Sequence, residues 1–63
     1  MCLSVAYEMR GQQKVKLLEH VSAIDISPGK VCLSDIMGEQ LTVEGCIGGI
    51  DLMKNEIIIL PAK

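Results

Sequence analysis

The sequence predicts an all-β chain closed into one small barrel, residues 1–63, of five or six short antiparallel strands. Three observations predict it. Apolar and polar residues alternate with period two along most of the chain, the pattern of strands half buried on one face. Turn signals such as Ser27-Pro28-Gly29-Lys30 recur at short intervals. With 63 residues there is room for one domain only, and closing a meander on itself removes the exposed edges that an open sheet would leave.

The elements follow in order. From Cys2 to Met9, Leu3, Val5, Tyr7 and Met9 fall on one side and Cys2, Ser4, Ala6 and Glu8 on the other, until Gly11-Gln12-Gln13 breaks the strand. A second run extends from Lys14 through Val21 to Ser27, with an irregularity expected near Glu19-His20, where the alternation slips. Pro28 fixes φ at one central turn position and Gly29 accepts φ > 0 at the next, so a hairpin returns along Val31 to Asp35. Met37-Gly38-Glu39 turns the chain into Gln40 to Cys46, with Leu41 and Val43 inward. Gly45, Gly48 and Gly49 then mark a bend or barrel corner, and a last hairpin is expected to pair Ile50 to Met53 with Glu56 to Leu60 across Lys54-Asn55. The helix formers of Lys14 to Glu19 are outweighed by Val15 and the β-branched run that follows. This pattern is that of an SH3-like barrel.

The core must be made of Leu, Ile and Val, since Phe and Trp are absent and Tyr7 is the one aromatic residue. A chain of about 60 residues buries only about 60% of its unfolded surface, so a further stabilising device is expected. Ile57 and Ile59 share one face of the last strand and Ile58 and Leu60 the other. Only one face can line the barrel, and covering the second predicts a homodimer.

Composition excludes several function classes. The net charge is −2 and the six basic residues are scattered, which leaves no strip to neutralise phosphates, and Tyr7 alone offers no stacking platform, so nucleic acid is not an expected partner. No apolar run approaches the roughly 18 to 20 residues that span a bilayer, so no membrane role is expected. Three widely spaced cysteines without a recognisable leader point to reducing cytoplasm. The serines have only His20 as a base and no defined acid, so an enzyme is not expected.

The unusual chemical setting is at Cys2. The α-amino group of Met1, the Cys2 amide nitrogen and the Cys2 thiolate lie in one short stretch and can close two fused chelate rings on one metal. Nitrogen and sulfur donors in a plane suit Ni(II) or Cu(II) rather than tetrahedral Zn(II). In a dimer whose termini meet, the second Cys2 thiolate supplies a fourth donor. The competing reading of the same residue is a small hydrophobe at a chain end.

Met1-Cys2-Leu3-Ser4 at the start, Leu17-Leu18-Glu19-His20-Val21, Asp35-Ile36-Met37-Gly38-Glu39, and Val43-Glu44-Gly45 followed by Ile50-Asp51-Leu52 and an Ile-rich end together resemble the CooT family, small nickel-binding proteins named for an accessory protein of the nickel-containing carbon monoxide dehydrogenase. The resemblance covers nearly the whole chain. It implies an SH3-like barrel, a homodimer and Ni(II) bound through Cys2, with Met1 supplying the amine, in a metallochaperone that serves a nickel enzyme or its maturation proteins. Ile36-Met37 and His20 differ from the residues usual in that family, which leaves the recipient open.

Cys32 and Cys46 read as structural, partly exposed strand residues, His20 as a turn or surface residue, and the four methionines as filler. A Cys₃His zinc site from Cys2, Cys32, Cys46 and His20 is disfavoured because no Cys pair has the short loop of such sites. The alternative function is a metal-free SH3-like protein-interaction module, though not one for proline motifs, whose grooves are lined with aromatics.

Overall fold

The computed structural model describes residues 3–62. They form five strands: β1 (Ser4–Arg10), β2 (Gln13–Ser27), β3 (Lys30–Asp35), β4 (Gln40–Asp51) and β5 (Glu56–Pro61). These close as a barrel in the order β1-β2-β3-β4-β5. Sequential neighbours pair antiparallel, whereas β1 and β5 pair parallel, Val5 opposite Glu56 through Glu8 opposite Ile59. The parallel seam is a consequence of strand number, because in a meander with an odd number of strands the first and last run the same way.

Two strands are long because each serves two partners. β2 pairs with β1 over Gln13 to Val21 and with β3 over Val21 to Ser27. β4 pairs with β3 over Gln40 to Glu44 and with β5 over Gly45 to Asp51. The segments expected as separate strands, Gln40 to Cys46 and Ile50 to Met53, are therefore one bent strand ending at Asp51, and Leu52 and Met53 stand in a turn instead. The reason is local: Asp51 Oδ1 accepts hydrogen bonds from the Met53 and Lys54 amides at 3.0 and 3.1 Å, which folds the backbone before it can extend.

The core consists of Ala6, Val21, Val31, Leu33, Ile57 and Ile59, with Leu17, Leu18, Ile24, Val43 and Ile47 packed around it. Each fully buried aliphatic side chain contributes roughly 1.5–3 kcal/mol. Ile57 and Ile59 face inward, leaving Ile58 half-buried and Leu60 exposed on the outside, as the alternation required. On β1 the inward residues are Ala6 and Glu8 rather than the more apolar Leu3, Val5, Tyr7 and Met9. A small barrel has room for little more than Ala where strands close in, and Glu8 is accommodated because Arg10 Nε lies 2.8 Å from its carboxylate.

Candidate functional site

β1 begins at one rim of the barrel, and the pairing ladder shows what surrounds that point. Ser4 pairs with Val21, and Val21 with Asp35 at the end of β3. On the other side the Val5 amide donates to the Asn55 carbonyl at 2.9 Å, Val5 pairs with Glu56, and Glu56 pairs with Asp51 at the end of β4. With strands about 4.8 Å apart, Asp35 and Asp51 each stand about 10 Å from the start of β1, on opposite sides of it. A cleft of about 270 Å³ opens beside the same point, lined by Ser4, Val21, Ser22, Ala23, Ile24, Ile50 and Ile57. Met1 and Cys2, the expected metal-binding residues, lie outside the described residues.

The β2 irregularity expected near Glu19-His20 is a bulge at this rim. Between the pairs Ala6–Leu18 and Ser4–Val21, β1 advances by two residues and β2 by three. His20 absorbs the extra residue at φ 58°, exposed, and its carbonyl accepts the Ile36 amide at 3.1 Å, which ties the bulge to the β3–β4 turn. Beside it the Lys16 ammonium and the Glu19 carboxylate form an ion pair; their hydrogen bond, with the attraction of opposite charges, lowers the Glu19 carboxyl pKa and raises that of Lys16. Both side chains are exposed to solvent, which screens the effect.

The two turns flanking the start of β1 share one construction. Asp35 Oδ1 accepts from the Met37 and Glu39 amides, both at 2.9 Å, as Asp51 Oδ1 accepts from Met53 and Lys54. Each Asp holds an aliphatic residue and a methionine into solvent: Ile36 and Met37 are 54% and 81% exposed, Leu52 and Met53 80% and 93%.

A family model described as CO dehydrogenase accessory protein CooT matches residues 1–60, a span that includes Met1 and Cys2. The chain belongs to the CooT family. Proteins of this family are described as accessory to CO dehydrogenase rather than as enzymes, which supports an accessory, non-enzymatic role for this chain. The barrel is also similar to a crystal structure described as a candidate CooT from Carboxydothermus hydrogenoformans, with a TM-score of 0.88 and 19% identity over 98% of this chain and 100% of that one, which shows a shared fold. No curated protein matches the chain.

Within this CooT-family barrel the remaining sequence candidates are kept apart. Cys32 is half-buried and pairs with Asp25 and Thr42, while Cys46 is exposed and pairs with Leu60. Among the described residues no group of three or more His, Cys, Asp or Glu side chains is placed to hold a metal ion, so Cys32, Cys46 and His20 do not assemble a centre there. No helix is long and apolar enough to cross a membrane among these residues. In the sequence Asp35 and Asp51 read as solvated strand and turn carboxylates, whereas in the structure each holds a turn together. The signal was present as Asp-Ile-Met and Asp-Leu-Met, an Asp followed by two apolar residues where a strand ends.

Proposed function

We propose that this protein is a nickel metallochaperone: a homodimer that binds Ni(II) at its amino terminus through Cys2 and supplies it to a nickel enzyme such as CO dehydrogenase, in the reducing cytoplasm. Family membership supports the accessory role, and the chemistry of the first two residues supports Ni(II) as the cargo. The observation that carries the reading is the anchoring of Ser4 and Val5 by pairing on both sides, which fixes the point from which Met1 and Cys2 extend. The Met1 amine, the Cys2 amide nitrogen and the Cys2 thiolate would hold the ion, and such a donor set favours Ni(II) or Cu(II) over Zn(II).

The homodimer rests on the outer apolar face of the β1–β5 seam. Tyr7 pairs with Ile58 there, both half-buried, and Leu60 is 44% exposed. Lys14 lies 4.9 Å from the Tyr7 ring and 3.3 Å from Glu56, covering one end of that face only.

Titration of tag-free protein with Ni(II) tests the reading. A thiolate-to-nickel charge-transfer band should saturate near one metal per dimer and vanish in Cys2→Ser. Affinity should fall as pH falls, because the amine (ordinary pKa about 7.7–8.0) and the thiol (about 8.5) must both lose protons. Undiminished binding by Cys2→Ser would refute the site, and a 6.8 kDa species in light scattering would refute the dimer.

A further inference from the structure

The exposed apolar residues of this barrel are concentrated where β1 begins. Ile36, Met37, Ile50, Leu52 and Met53 lie at that rim, and of the large exposed apolar side chains only Ile26 and Leu60 lie elsewhere among the described residues. The turns that carry them are internally satisfied, each Asp accepting two backbone amides, so their apolar pairs are displayed on a framework that loses little freedom on binding. They project outward, which suits a recess in a partner, and methionine adapts to irregular apolar surfaces.

Charge decides what kind of partner this is. The segments 35–39 and 51–55 carry Asp35, Glu39 and Asp51 against Lys54, while Glu56 beside them is already met by Lys14. A second copy seated turn on turn, as distinct from one joined through the β1–β5 seam, would set acid against acid, and an anionic lipid surface would be repelled. An apolar recess bordered by Lys or Arg on a different protein would meet both features.

We propose that the two Asp-held turns, presenting Ile36-Met37 and Leu52-Met53, form the docking face for a partner protein with a basic-rimmed apolar recess, the enzyme this accessory protein serves. The inference rests on the accessory role, and on the nickel reading only for what the docked face delivers. Because the turns flank the start of β1, docking through both would hold the amino terminus between them, against the partner.

The probe is purified nickel-free CO dehydrogenase, with tag-free protein titrated by calorimetry. Wild type should bind, more weakly as salt rises, and Met37→Asp with Met53→Asp should weaken binding about tenfold or more. Both side chains are largely solvent-exposed, so thermal unfolding and Ni(II) binding should be unchanged in that double variant. Ile26→Asp, equally disruptive in chemistry but away from the rim, should change docking by less than about twofold. Cys2→Ser should lose nickel yet dock like wild type, which separates failure of the metal site from failure of the docking face. The proposal is overturned if wild type shows no binding up to about 100 μM, if the double variant docks as tightly as wild type, or if Cys2→Ser abolishes docking. Binding to phosphatidylcholine–phosphatidylglycerol vesicles that the double variant abolishes would also overturn it in favour of a membrane surface.

Discussion

β2 and β4 perform the same manoeuvre, leaving one partner strand for another, but they turn their corners with different chemistry. At the β4 corner Gly45 is buried at φ +149°, and a Cβ there would lie 2.2 Å from the Leu60 carbonyl oxygen. At the β2 corner His20 is exposed at φ 58°, in a region that His enters more readily than most residues. One corner is closed because backbone passes against backbone, and only glycine fits. The other is constrained in φ alone and keeps a polar side chain at the rim where β1 begins. The closed corner belongs to the fold, whereas the open one belongs to the surface from which the amino terminus extends.

Substitutions at the two corners test that contrast. Gly45→Ala should have the largest effect, about 3 kcal/mol or more, since the clash is with backbone and cannot be relieved by a side-chain rotation. Urea unfolding would measure it against Leu33→Ala, a fully buried truncation expected to cost about 2–5 kcal/mol. If Gly45→Ala were nearly neutral, the β4 corner would be as open as the β2 corner and the contrast would fail. His20→Gly should have the smallest effect, lying within about 1 kcal/mol of wild type with a stabilising sign, because glycine adopts positive φ without steric cost. A loss as large as that of Gly45→Ala would show that the imidazole, not the backbone, holds the bulge.

The fold was legible where local chemistry dictates it. Pro28-Gly29 specified its hairpin, Gly29 standing at φ 75°, and the slipped alternation at Glu19-His20 marked the bulge. The Ile57–Leu60 pattern showed that one apolar face of β5 must lie outside the barrel, and the structure assigns Ile57 and Ile59 to the inside. What was not legible depends on which strands meet. β4 reads as two strands because glycines break its apolar period, yet pairing with β3 and then β5 keeps it continuous. The alternation of β1 sorts Val5 and Tyr7 from Ala6 and Glu8 without naming the inward side, and closure against β5 turns Ala6 and Glu8 inward. For the candidate site, the special chemistry of Met1 and Cys2 is visible in sequence because it follows from covalent neighbours. The rim around their attachment point is assembled from Val21, Asp35, Asp51 and Glu56, distant in sequence from Ser4, and required the barrel.

Nickel held by the amino terminus and Cys2, as proposed, would carry a distinctive set of nitrogen and sulfur donors. Nickel K-edge X-ray absorption of the tag-free, Ni(II)-loaded protein measures that donor set directly. Sulfur scattering and the edge shoulder of a planar four-coordinate ion are expected, both lost in Cys2→Ser. A six-coordinate oxygen and nitrogen environment without sulfur in the wild type would contradict that proposal.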